Sequence, residues 1–351
     1  VTSSGRGSTT PATRRAPDRD ASTSGSGVGG TTPAPSRPWW RVPWWRPLVA
    51  FDRTVGGPAA RIGALFERRP FAEGTIEVDG LRLYYERHGE GPRVLVFLHG
   101  LLLDTQLSRR LAADLAERGM QVLLLDLPGH GRSDKPRHAS AHRMDSYAHY
   151  VVALLDELGI DKAVVGGVSL GANVTLQVAV QSPDRVQGLL IEMPVLEWAV
   201  PVAALMFVPA LLGVHYAAPV VRAVAATARH LPRTGIPALD SVLTTLTLEP
   251  EEAAAVLHGM LVGPITPTYE ERHAITVPTL VIGHKIDFIH PFTDADHLAR
   301  QLPSARLLQA RSLLELRVAP DRLTAEIADF LDDAWRLPAP DLGRTRGARP
   351  A

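Results

Sequence analysis

The chain of 351 residues contains no cysteine. This excludes disulfides, a cysteine nucleophile and thiolate metal sites, and it suits a reducing or an oxidising compartment equally. Net charge is also missing: 37 Lys and Arg balance 37 Asp and Glu. The total therefore supplies no electrostatic ground for binding nucleic acid, and no such partner is expected. Aromatic residues are scarce at 6%, and the last of the 13 histidines is His297. There is no Gly-Lys-Ser/Thr phosphate loop, heptad array or internal repeat, and no cofactor is expected. What is abundant is apolar material, 45% of the chain, enough for one large domain with appendages.

Residues 1–47 are dominated by Ser, Thr, Gly, Pro and Arg, with seven arginines against two aspartates. So little apolar surface cannot offset the entropy of ordering, which predicts a disordered, modestly basic tail. It lacks the basic-then-apolar pattern of a secretory signal, so the expected location is cytoplasmic. The tail ends in "PWWRVPWWRP", which holds four of the six tryptophans, Trp39, Trp40, Trp44 and Trp45. Trp beside Arg suits weak peripheral contact with a membrane or a protein groove; packing onto the body of the same domain is the other reading. Residues 48–74 are expected to form a helical lead-in, and 337–351 a second disordered tail.

From Thr75 the pattern is regular. "TIEVDGLRLYYERHG" predicts two alternating strands around an Asp79-Gly80 turn. "RVLVFLHG" is a continuous apolar run of the kind buried on both sheet faces, "QVLLLDLPGHGRSD" reads as another buried strand running into a glycine-rich loop, and "KAVVGGV" and "VQGLLIEM" read as strands. Helical segments separate them, which predicts an α/β domain: a mostly parallel sheet covered by helices on both faces. The core is expected in two parts, 75–193 and 273–336. Between them, 194–272 has no clear strand, and Trp198 to Val221 carries no formal charge over 24 residues. Its length permits a membrane span, but its prolines and its insertion inside a sheet favour a greasy helical cap over a site.

"VVGGVSLGAN" places Ser169 between Gly167 and Gly171, after a strand and before a helix. That is the setting of a nucleophilic serine on a sharp strand-to-helix turn. With "FLHG" (His99-Gly100), "DLPGHGRSD" (Asp126 to Asp134) and "VPTLVIGHKIDFIHP", the chain over 75–336 resembles the α/β-hydrolase fold family. The resemblance implies an oxyanion hole from the amides of Leu101 and Leu170 and a catalytic acid at Asp287. It implies hydrolysis of an ester or related acyl bond, and the apolar cap suggests a hydrophobic small-molecule substrate.

The family carries its histidine after the last strand, yet here that loop, "ARSLLELRVAPDRL", has none. Three readings follow. The base comes from elsewhere, His290 first, with His258 and His99 behind it and His130 structural. Alternatively, Glu192 or Glu315 serves as acid or base, though Glu315 also reads as an ion-pair partner of Arg317 or Arg311. Or the protein is catalytically impaired and binds an apolar ligand or a protein partner. His284, Asp287 and His290 stand at three-residue spacing, but the two histidines and the aspartate cannot face one way there, so no metal site is expected.

Overall fold

A computed structural model describes residues 69–337 except Ile286, Phe288, Leu313 and Leu314. The expected tail with its four tryptophans, and the lead-in through residue 68, lie outside the described residues. Strand β1 (Ala72–Val78) begins inside the stretch expected to be helical lead-in. It pairs with β2 (Leu81–His88) through a turn with Asp79 and Gly80 both at positive φ, 52° and 76°. Such a turn matches the twist of an antiparallel ribbon, and Asp-Gly tolerates it.

Six further strands follow: β3 (Val94–Leu98), β4 (Gln121–Leu125), β5 (Ala163–Val168), β6 (Val186–Glu192), β7 (Thr279–His284) and β8 (Ala305–Ala310). The sheet order is β1-β2-β4-β3-β5-β6-β7-β8, with β3 to β8 mutually parallel and β1 and β2 antiparallel at one edge. Helices α1 (Arg109–Ala116), α2 (Met144–Glu157) and α3 (Leu170–Gln181) connect the first part. One face is covered by α2, α3 and a helix called α9 below; α1 and the C-terminal helix cover the other. Every residue of β3, β5, β6 and β7 is buried, as two covered faces require.

The apolar block between β6 and β7 is helical: α4 (Val200–Tyr216), α5 (Ala218–Ala228), α6 (Pro237–Thr245), α7 (Pro250–Val262) and α8 (Tyr269–His273). After β7 come α9 (Phe292–Gln301), α10 (Glu315–Val318) and α11 (Asp321–Arg336). The cap is tied down by two buried polar side chains. Asn173, on α3, donates to the carbonyls of Val195 at the cap's entry and Ile265 at its exit, at 2.7 and 2.8 Å, and accepts from the Val195 amide. Asp294, on α9, accepts from the amides of Leu196, Trp198 and Ala199. The insertion expected between the two parts of the core is helical, and Ala203 is the single buried residue of α4.

A buried ion cluster holds the antiparallel edge. Glu86 accepts from Arg109 Nη2 at 2.6 Å and Thr105 Oγ1 at 3.0 Å, with Tyr84 Oη and His88 Nε2 each at 3.2 Å. Burial alone raises its pKa, but the hydrogen bonds from His88 and Arg109 and the Arg109 charge outweigh it and bring it to about 2. A depressed carboxyl stabilises the fold above the unfolded-chain value, near 4.5, and loses that contribution as pH falls towards 2. Glu86→Gln is expected to cost about 3 kcal/mol at neutral pH. The loss should shrink steadily below pH ~4.5 in denaturant titrations; a pH-independent loss would reject this account.

Candidate active site

The turn from β5 into α3 puts Ser169 at φ 55°, ψ −111°, a strained geometry for a residue with a side chain. The turn closes only because its flanks are bare. A Cβ on Gly167 would sit 2.5 Å from the Gly171 carbonyl carbon, and one on Gly171 would sit 2.5 Å from the Leu98 carbonyl oxygen. The strained backbone is pinned by the Ser169 amide donating to the Glu192 carbonyl at 2.9 Å and by the Gly171 amide donating to the His99 carbonyl at 3.1 Å.

The loop between β7 and α9 reaches the same point. Ser169 Oγ lies 2.8 Å from His290 Nε2, and His290 Nδ1 lies 2.8 Å from Asp287 Oδ2. An ionised carboxylate can only accept, so Nδ1 carries the proton and the Nε2 lone pair faces the serine hydroxyl. The other Asp287 oxygen, Oδ1, accepts from the amides of Ile289 and His290 at 2.8 and 3.0 Å. A three-residue turn thus locks carboxylate and imidazole onto each other before either meets the serine. Burial raises the Asp287 carboxyl, but hydrogen bonds from the His290 ring and amide, with the nearby His290 charge and the Ile289 amide, hold it below the usual range. The Asp287 side chain is 3% exposed and the His290 ring 12%: the acid is shielded while the ring stays reachable.

The amides of Leu101 and Leu170 donate to nothing among the described residues. Leu170 opens α3, where the first amides have no intrahelical partner and the dipole is positive. A Cβ on Gly100 would lie 3.8 Å from Ser169 Cβ, so the backbone leading into Leu101 runs directly beside the nucleophile's position. This arrangement suits capture of an anionic oxygen next to Ser169.

The remaining candidates sit elsewhere. Glu192, fully buried at the end of β6, accepts from Arg317 Nη2 at 2.8 Å and lies 3.4 Å from His284 Nε2. Glu315 is held by Arg322, at 2.8 Å, and by the Arg311 amide. Glu315 is thus the ion-pair partner expected, but of Arg322; of the two arginines named for it, Arg311 gives its backbone amide and the Arg317 guanidinium turns to the more deeply buried Glu192. Both ring nitrogens of His99 are spent on backbone, one on the Gly100 carbonyl and one on the Leu127 amide. His130 is buried beneath it, and burial drives its pKa well down. His258 is exposed on α7. His284 turns from His290 to the Ser312 carbonyl, at 2.9 Å. Among the described residues no three metal-ligating side chains cluster.

Sequence reasoning missed Asn173, Asp294 and the Arg317–Glu192 pair. Asn173 carries a weak signal, one helical turn beyond Ser169; the other two join elements roughly 100 residues or more apart and carry none.

The strand order, the covered parallel sheet, the serine turn and the helical insertion after β6 together define the α/β-hydrolase fold. Residues 93–212 match the α/β-hydrolase fold family. Est816, described as an N-acyl homoserine lactone degrading enzyme, is 25% identical; the match covers 73% of this chain and all of that one, with a TM-score of 0.58. An enol-lactonase from Burkholderia xenovorans LB400 has the same fold at 22% identity and a TM-score of 0.60, over 74% of this chain and all of that one. A zearalenone hydrolase from Cladophialophora bantiana is 34% identical over 111 residues, 31% of this chain and 42% of that protein. The acetyltransferase component of the acetoin cleaving system of Cupriavidus necator is 39% identical over 121 residues, 34% of this chain and 31% of that protein. The chain thus spans well under half the length of these curated relatives.

Proposed function

We propose that this protein is a serine hydrolase of esters, lactones or related acyl bonds in hydrophobic small molecules. The observation that carries the reading is the unbroken Ser169–His290–Asp287 hydrogen-bond chain, 2.8 Å at each link. Ser169 Oγ attacks the carbonyl carbon while His290 Nε2 takes its proton. Asp287 keeps the ring in the tautomer that accepts, and stabilises the imidazolium that forms. The Leu101 and Leu170 amides receive the oxyanion, and His290 then protonates the leaving oxygen. Water, deprotonated by the same ring, releases the acyl group from Ser169. The base in this reading stands three residues after the acid, in the loop that follows β7, rather than after the last strand. The activities of Est816, an N-acyl homoserine lactone degrading enzyme, and of the zearalenone hydrolase support the bond class.

A fluorophosphonate probe is expected to label the wild-type protein stoichiometrically and Ser169→Ala not at all, read by intact-protein mass. A folded wild-type protein that stays unlabelled would instead favour an inactive, ligand-binding role for the same site.

A further inference from the structure

Helix α4 is apolar all round and largely uncovered. Leu205 is 75% exposed and Val220, on α5, 63%. From Leu205 to Gly213 the exposed positions are 205, 206, 208, 209, 210, 212 and 213; at 100° per residue they sweep an arc of roughly 200°. A helix of this kind is stable only where something apolar surrounds it. No single helix among the described residues is long and apolar enough to cross a bilayer, and α4 and α5 meet at a 91° bend. At 17 residues α4 is about 25 Å long, short of a hydrocarbon core of about 30 Å.

Three observations select the occupant. A folded partner or a second copy covers a strip, whereas fluid lipid wets an arc of any width. Aromatics mark both ends of the helix, Trp198 at 62% and Tyr216 at 80% exposure, the placement favoured at headgroup level. Finally, Trp198 to Leu239 contains three arginines and no carboxylate. Two of these, Arg222 and Arg229, are neutralised by Glu251 and Glu249. Beside them, however, opens a cleft of about 370 Å³ lined by Arg137, His215 and His258 against Leu211, Leu212 and Ala254. Glu251 lines it too, engaged by Arg222. Arg137 forms no salt bridge among the described residues; its charge acts on Glu251, which Arg222 already neutralises, so the cleft keeps one positive charge in excess.

We propose that α4 and α5 seat the protein on the surface of a bilayer containing anionic phospholipid, with the apolar arc at the headgroup–acyl boundary and Arg137 facing lipid phosphates. The cap leaves the sheet at the end of β6 that pairs with the end of β5, where the Ser169 turn begins. The seat does not depend on the chemistry of Ser169, and its test reads binding rather than turnover.

The full chain is mixed with vesicles of phosphatidylcholine containing a minority of phosphatidylglycerol, and binding is measured by flotation. Wild type is expected to float. Leu205→Asp/Val220→Asp should weaken binding at least about tenfold with circular dichroism and thermal midpoint unchanged. Arg137→Glu should remove the preference for phosphatidylglycerol over pure phosphatidylcholine. Equal flotation of wild type and the double variant overturns the proposal, as binding would then come from elsewhere, the Trp39–Trp45 stretch included. Failure of wild type to float also overturns it, and a dimer dissolved by the double variant would identify a second copy as the occupant.

Discussion

Replacing His290 with alanine is expected to lower kcat on an activated ester by about 10⁴–10⁶-fold while KM changes little. The hydroxyl of Ser169 donates to one imidazole, at 2.8 Å, while the rings of His99 and His284 are engaged by backbone groups. Loss of the ring removes proton transfer but leaves the Leu101 and Leu170 amides, whose residual contribution sets the floor. Asp287→Asn separates orientation from folding. Its amide oxygen can still accept from the Ile289 and His290 amides that shape the turn, but its NH₂ would face Nδ1 and turn the tautomer over. The ring would then present a proton, not a lone pair, to Ser169. A loss near 10⁴-fold with an unchanged melting temperature is expected. Retention of activity within about tenfold in His290→Ala would reject His290 as the base.

Arg317→Ala is expected to destabilise the protein by about 3–5 kcal/mol, a fall in Tm of roughly 6–20 °C. Glu192 is 1% exposed and its partner Arg317 13%, so removal of the guanidinium strands a charge that water cannot reach. Burial pushes the Glu192 carboxyl up, but the Arg317 charge, with His284 and the hydrogen bonds, holds it below its usual range. That sets the sign of the pH dependence. The pair contributes above the unfolded carboxylate value and fades as pH falls through the folded one. In Arg317→Ala the deficit should therefore be largest at neutral pH and smaller in acid, where the orphaned carboxyl takes a proton. Glu192→Gln with Arg317→Met should recover most of the loss, since the desolvation of both charges disappears with them. Equal stability of Arg317→Ala and wild type in urea titrations would show that water reaches Glu192 without the arginine.

The α/β reading depended on patterns that stay within single elements: unbroken apolar runs for strands covered on both faces, 3.6-residue spacing for the helices, Asp-Gly and Gly-x-Ser-x-Gly for the turns. Each reports local geometry, and each is where the structure has it. The exposure of α4 was not visible in the same way, because an apolar stretch reads alike whether protein, lipid or a partner covers it. That Glu315 sits in an ion pair was legible, but its partner was not, for a related reason. Proximity in sequence offered Arg317 or Arg311, whereas the fold brings Arg322 to Glu315 and turns Arg317 to Glu192, buried at the end of β6.

The sequence by itself determined that Ser169 stands on a strained turn, that a carboxylate and a histidine share the loop after β7, and that no histidine follows the last strand. These are facts of residue type and spacing. Only the tertiary structure decided that His290 meets Ser169, because that distance depends on how two loops 121 residues apart leave neighbouring ends of one sheet. The parallel order β5-β6-β7 brings both loops to the same edge, and the turn built on Asp287 aims the ring across it.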